Sequence, residues 1–239
     1  MSYDKRLDGR DFNEIRKMEA KVGVVKNAVG SAFFKIGNTS AYAAVYGPKE
    51  LHPRFLQNPE KGVLRCHYNM MPFSGPGERG RPGPNRRAKE ISMVSTKALE
   101  PVLDLTEFPN TVVDVFIELT ETDAGSRCAG IVAASMALAD AGFSMKELPC
   151  SIAAGRVCDK IVIDLSGDEE HYEDSDNLGV ADLALTILPN SGIVTHMQMD
   201  GKISEKQLGE AIEMAKESIK EIYELQKKTL KNKYEGEPQ

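Results

Sequence analysis

The sequence predicts an α+β protein, two halves in which helices pack on mixed sheets. Three observations lead there. Short alternating strand patterns, separated by Gly, Asn and Pro, recur in both halves. A nearly uncharged run from Arg127 to Asp140 follows a strand and stops at Gly142, the pattern of a buried helix. From Ser204 onward, apolar residues return at helical spacing.

In chain order, residues 1–17 are polar, and Arg6-Leu7-Asp8-Gly9-Arg10 contains an Asp-Gly turn signal. Strand patterns follow at 18–25, 31–36 and 39–46. Gly30 and Gly37-Asn38 punctuate them into a meander that Pro48 should close. Residues 50–61 contain two prolines and read as a loop presenting Arg54. From 63 to 71, Arg65, His67 and Asn69 alternate with Leu64, Cys66, Tyr68 and Met70, a strand with one polar face. The Gly/Pro-rich stretch 74–85 leads into Arg86-Arg87-Ala88-Lys89 and a helix to about Leu99. Cations at a helix start oppose its dipole, so this basic stretch implies an anionic partner, as in the grip of a polyanion's backbone.

A strand at 111–119 points Val113, Val115, Ile117 and Leu119 to one face. The second half repeats a strand-rich plan. A hairpin is expected from 151–157 and 161–165, then strands at 181–188 and 193–199. Ser204 with Gln207 starts a capping box, and Leu208, Ile212, Ala215, Ile219 and Ile222 form the buried stripe of the last helix. The halves divide as 14–148 and 149–234.

Between strand 111–119 and the apolar helix lies Asp123-Ala124-Gly125-Ser126-Arg127. The first N–H groups of a helix lack partners within it, and its dipole is positive there. Gly125 allows close backbone approach, Ser126 adds a hydroxyl and Arg127 a fork of donors. Together they suit a phosphate or another oxyanion. A plain turn with a Ser cap would use the same residues but would leave Arg127 unpaired beside a core helix.

The acidic run 167–177 holds Asp168, Glu169, Glu170, Glu173, Asp174 and Asp176. Its first part, 167–174, is expected to be a solvated face. Asp182 differs, because it lies within a strand between Ala181 and Leu183, six residues after Asp176. Two such carboxylates could hold Mg²⁺, or one could act as a general acid.

Composition bounds the function. The chain has 239 residues, 41% apolar and 28% charged, with a net charge of −6. It is long enough for one large domain or two small ones, and any nucleic-acid contact must come from local basic clusters. Cys66, Cys128, Cys150 and Cys158 lack metal or disulfide spacing and read as reduced core residues. No apolar run of ~18 residues is present, so no membrane span is expected and the cytoplasm is the expected location.

Taken together, Arg6-Leu7-Asp8-Gly9-Arg10, Gly30-Ser31-Ala32, Ala43-Ala44-Val45-Tyr46-Gly47-Pro48, His52-Pro53-Arg54, Pro84-Asn85-Arg86-Arg87, Asp123-Ala124-Gly125-Ser126-Arg127 and Ala181-Asp182 resemble the RNase PH family. The closer likeness is to the catalytic RNase PH-type subunit of the archaeal exosome. The motifs run in order over almost the whole chain.

The resemblance implies an RNase PH-like fold of two βαβ-like halves and a six-subunit ring shared with a non-catalytic RNase PH-like paralogue. It implies RNA-binding cap proteins and phosphate-dependent 3′→5′ degradation of RNA to nucleoside diphosphates, with inorganic phosphate as co-substrate. By the same resemblance, Gly125, Ser126 and Arg127 bind phosphate, and Arg86 and Arg87 hold RNA near its 3′ end. Arg54 points into the pore. Asp182 matches the family's essential aspartate, and Asp176 the carboxylate six residues before it. Arg65 joins the RNA-binding set. The acidic loop is longer than is usual in the family, so Asp174 also qualifies as the companion.

A catalytically silent ring subunit should lack Arg127 or Asp182, and a GHMP-type kinase should carry a Gly/Ser-rich ATP loop after a proline. This sequence has both residues and lacks the loop. A tRNA 3′-trimming enzyme is disfavoured by the absence of that enzyme's tract between the Arg54 region and the arginine pair.

Overall fold

A computed structural model describes residues 3–76, 83, 85–172 and 179–236. Strands β1 (Met18–Val22), β2 (Gly30–Ile36) and β3 (Thr39–Glu50) form the expected antiparallel meander. β1 stops three residues early, where Gly23 turns at φ +72°. β3 instead continues past Pro48. Its pairing with β5 (Thr111–Glu121) is irregular between Tyr46 and Lys49, so the missing proline N–H falls where the ladder is already broken.

β4 (Val63–Met70) lies parallel to β5, and the crossover between them contains α1 (Arg86–Leu99). This is a βαβ unit at the edge of a sheet ordered β1-β2-β3-β5-β4. Asn85 caps α1 by accepting the Ala88 N–H at 2.8 Å.

The second sheet contains β6 (Cys150–Val157), β7 (Lys160–Ile163), β8 (Ala181–Ile187) and β9 (Val194–Asp200), in the order β7-β6-β8-β9. Its hydrogen-bonded pairs are all antiparallel, so only the first sheet is mixed. β7 and β8 therefore run parallel to each other with β6 between them, a split form of the βαβ arrangement. The connection from β7 includes the short helix α3 (Gly167–Glu170).

Helix α2 (Ser126–Asp140) lies between the sheets, against β2, β3 and β5 on one side and β6 and β8 on the other. All its residues except Arg127 and Ala139 are buried, as a helix without a polar face requires. The fit is close: a Cβ on Gly130 would come within 2.9 Å of Ile117 Cγ2, and one on Gly30 within 2.2 Å of the Ala141 nitrogen. Helix α4 (Glu205–Glu235) starts with the expected Ser204–Gln207 capping box and covers β6, β7 and β1. Ala211, Ala215, Ile219 and Ile222 form its buried line, with Leu208 and Ile212 at the margin.

The acidic run departs from expectation. Glu169 is fully buried, not solvated. Its carboxylate accepts from Arg6 Nε at 2.8 Å and Nη2 at 2.7 Å, and from the Tyr3 hydroxyl at 2.6 Å. Burial would raise its pKa, but Arg6 and Tyr3 bring it below the usual carboxylate value. Arg6 also donates to the Ile163 and Asp164 carbonyls, so the polar N-terminal segment is stitched to the end of β7. A composition-based reading misses this because the partner lies 163 residues away.

Glu169→Ala should leave the Arg6 cation buried without its carboxylate, lowering stability in urea unfolding by about 3–5 kcal/mol. Replacing both partners together by Met and Leu should recover most of that loss. An unchanged urea midpoint in the single variant would contradict the ionic account.

Candidate active site

The site forms where α2 emerges between the sheets. Gly125 precedes the helix at φ +66°, a left-handed conformation that costs an L residue about 1–2 kcal/mol. Gly125 has no side chain to cap the helix, and among the described residues the first N–H groups within it keep their donors available.

The turn before it is held from three directions. Arg16 Nη1 donates to Asp123 Oδ2 at 3.0 Å, and its Nη2 reaches the Ala124 carbonyl at 3.3 Å. The Thr39 hydroxyl donates to that same carbonyl at 2.7 Å and accepts the Asp123 N–H at 3.1 Å. The Gly167 N–H donates to Asp123 Oδ1 at 2.9 Å, and a Cβ on Gly167 would lie 2.3 Å from that oxygen. Arg16 is itself fixed by a bidentate pair with the buried Asp164, at 2.8 and 2.7 Å.

A cavity of about 250 Å³ opens at this point. Gly125, Ser126 and Arg127 line one side, Arg87 comes from the start of α1, and Glu170, Asp182 and Asp200 come from the second half. Among the described residues, neither Arg87 nor Arg127 has an ion-pair partner, so two guanidinium groups are available to an anion. The Tyr68 hydroxyl is buried facing Ser126. Burial raises its pKa, and Ser126, Arg87 and Arg127 partly offset the rise.

Asp182 lies at the start of β8, opposite Gly155 on β6 and Asp200 on β9. Its Oδ1 is buried without a hydrogen-bond partner among the described residues. Burial raises its pKa and Asp200 adds to the rise, against the pull of Arg127 and Arg87. A buried carboxylate oxygen with no partner fits a proton or a cation. No three Asp, Glu, His or Cys groups among the described residues converge into a metal cage. Mg²⁺ commonly rests on one or two carboxylates and the substrate's phosphates, and Asp182 suits that role.

The structure thus brings Gly125, Ser126, Arg127, Arg87 and Asp182 together. Asp176 and Asp174 lie outside the described residues. Arg86 is exposed at the start of α1 and does not line the cavity. Arg54 is on an exposed single turn, Arg54–Leu56, with its Nε 3.6 Å from Glu50. Arg65 is committed to Asp114, to which it donates at 2.6 and 3.0 Å. Burial alone would raise Asp114, but Arg65 and Lys49 lower its pKa to about 2.

The chain matches the model of the 3′ exoribonuclease (RNase PH) family in both parts: domain 1 over residues 14–144 and domain 2 over residues 147–218. The chain belongs to the RNase PH family.

An exosome complex component Rrp41 of Thermococcus gammatolerans is 50% identical over 96% of this chain and 90% of its own. One from Methanopyrus kandleri is 47% identical over 97% of this chain and 94% of its own. Among solved structures, rice Rrp46 superposes with a TM-score of 0.80 at 27% identity, covering 94% of this chain and all of that one. A chain of the Archaeoglobus fulgidus exosome with RNA bound to the active site superposes at 0.79 with 25% identity, covering 92% of each chain.

Three residues that line the cavity are not singled out by the sequence. Glu170 and His171 fall in the run expected to be solvated, and Asp200 stands directly before Gly201. Only the α3 turn and the β8–β9 pairing bring them to the cavity.

Gly125→Ala meets no steric obstacle, since its Cβ would lie 3.7 Å from Arg16 Nη2 and 3.9 Å from Ala153 Cβ. The φ requirement alone should cost about 1–2 kcal/mol in denaturant unfolding. A variant as stable as the parent would show that the turn does not need its left-handed residue.

Proposed function

We propose that this chain is the catalytic RNase PH-type subunit of an exosome ring, and that it shortens RNA from the 3′ end by phosphorolysis. The reading rests on one arrangement: among the described residues, a helix start without a side-chain cap, two arginines without ion-pair partners and a carboxylate with an orphaned oxygen surround one small cavity. The family match and the similarity to exosome components support it. A further support is that a chain of this fold belongs to an exosome solved with RNA bound to the active site.

In this scheme the Ser126 hydroxyl, the first N–H groups of α2 and the Arg127 guanidinium hold inorganic phosphate. Arg87 neutralises the terminal phosphodiester so that two anions can meet. A phosphate oxygen attacks the phosphorus of the last linkage. The new P–O bond forms as the bond to the 3′ oxygen breaks. That oxygen takes the proton held by Asp182, whose burial favours the protonated form. The products are a nucleoside diphosphate and an RNA one nucleotide shorter.

The reaction transfers a nucleotidyl group to phosphate, so the enzyme is a nucleotidyltransferase, not a hydrolase. Excess diphosphate drives it backwards, adding 3′ tails. If Asp182 were instead ionised, it would be the carboxylate to hold Mg²⁺, with Asp176 or Asp174 as its proposed companion, and the ion would supply charge stabilisation to the phosphate oxygens.

Arg86, Arg87, Arg54 and Arg65 form the RNA-binding set, Arg65 after release from Asp114. The ring partner is a non-catalytic RNase PH-like paralogue, and RNA-binding cap proteins deliver the substrate. We place the complex in the cytoplasm. Among the described residues no helix is long and apolar enough to cross a membrane.

Asp182→Asn in the assembled ring should cut the initial rate of nucleoside diphosphate release ~10²–10⁴-fold while leaving RNA affinity intact. Arg127→Ala should raise the phosphate concentration needed for half-maximal rate. Near-normal turnover by Asp182→Asn would remove Asp182 from the chemistry.

A further inference from the structure

An anion site with a carboxylate in its wall is electrostatically odd unless a cation pairs with it, and this cavity has one without an ion-pair partner among the described residues beside the proposed phosphate seat. Glu170 lines the cavity with Gly125, Ser126 and Arg127, and its carboxyl group faces the Gly125 N–H at the start of α2. Among the described residues it has no ion-pair partner, although Arg87 and Arg127 line the same cavity.

Its mounting is rigid. Ser166 and Glu169 form a reciprocal capping box, the neighbouring Glu169 is locked to Arg6 and Tyr3, and Gly167 is tied to Asp123. The helix that carries Glu170 is therefore anchored on both sides, with the Glu170 side chain directed at the cavity. Burial, then the Asp182 charge, push its pKa up to about 7.

The other acidic groups of the wall are placed differently. Asp123 is engaged by Arg16 and Gly167, while Asp182 and Asp200 stand opposite each other on β8 and β9. A carboxylate repels every dianion alike, but it can accept a hydrogen bond from one that carries a proton. At a pH above about 7 Glu170 is ionised, and monohydrogen phosphate still offers a P–OH. Sulfate, of nearly the same size and charge, has no proton to give.

We propose that Glu170 is a specificity-determining residue that selects inorganic phosphate over sulfate, its carboxylate accepting a hydrogen bond from the P–OH of the bound anion. The proposal rests on the phosphorolytic reading of the site. Removing the acceptor removes the advantage of phosphate, while charge removal alone benefits both anions equally. A charge-assisted hydrogen bond of this kind corresponds to about 10–100-fold in affinity.

The test is calorimetric titration of the assembled ring with inorganic phosphate and, separately, with sulfate, for the parent chain, Glu170→Ala and Glu170→Gln. RNA affinity on the same samples reports intact assembly. The parent should prefer phosphate, and Glu170→Ala should reduce the ratio of the two dissociation constants about tenfold or more. Glu170→Gln should reduce it as well, since its amide can donate to sulfate.

One common ratio in all three proteins, or a parent that binds sulfate as tightly as phosphate, overturns the proposal. Release of nucleoside diphosphates by the parent ring is read separately. Its failure would remove the phosphorolytic reading, whereas a lost selectivity effect with diphosphate release intact would remove only the role of Glu170.

Discussion

A helix without a polar side must be covered on every face, and a single sheet covers only one. Helix α2 meets that constraint by lying between two sheets, and much of the architecture follows from it. Its ends are the only places where backbone polarity can leave the core. The N-terminal end emerges at the seam between the halves, so its unsatisfied N–H groups become the natural seat for an anion. The first half supplies Arg87 and Arg127 there, and the second supplies Glu170, Asp182 and Asp200. Neither half alone encloses the cavity.

The seam is fastened by charge. Arg6 with Glu169, and Arg16 with Asp164 and Asp123, join the N-terminal segment, the turn before α2 and the segment after β7. Buried pairs of this kind add little net stability compared with apolar contacts, but breaking one leaves an expensive unpaired charge. Here they do more than hold the chain together. Arg16 fixes the turn that sets the direction of the first N–H groups of α2, and Glu169 fixes the short helix that presents Glu170. The geometry of the proposed anion seat therefore depends on residues outside it.

Much of this was readable in the sequence, because it is local. The strand alternation at 111–119, the uncharged run after Arg127 and the Ser204–Gln207 box each sit within one element, and each has its expected form in the structure. The Gly125-Ser126-Arg127 turn was readable for the same reason. Pro48 misled because a bulge let β3 continue past it. The acidic run misled because burial depends on what packs against it, and Arg6 lies far away in the chain. Asp200 was hidden by cross-strand register, which no single strand encodes. Arg65 alternates with apolar residues as expected, but its pairing with Asp114 depends on the parallel β4–β5 register.

The most direct measurement is the position of a bound phosphate mimic in the assembled ring. Crystals of the Asp182→Asn ring soaked in arsenate would mark the anion by its anomalous scattering. The account expects the arsenic at the start of α2, within hydrogen-bond reach of Ser126 and Arg127 and facing position 182. An arsenic peak elsewhere, for instance beside Arg65 and Lys49 with the start of α2 left empty, would contradict it.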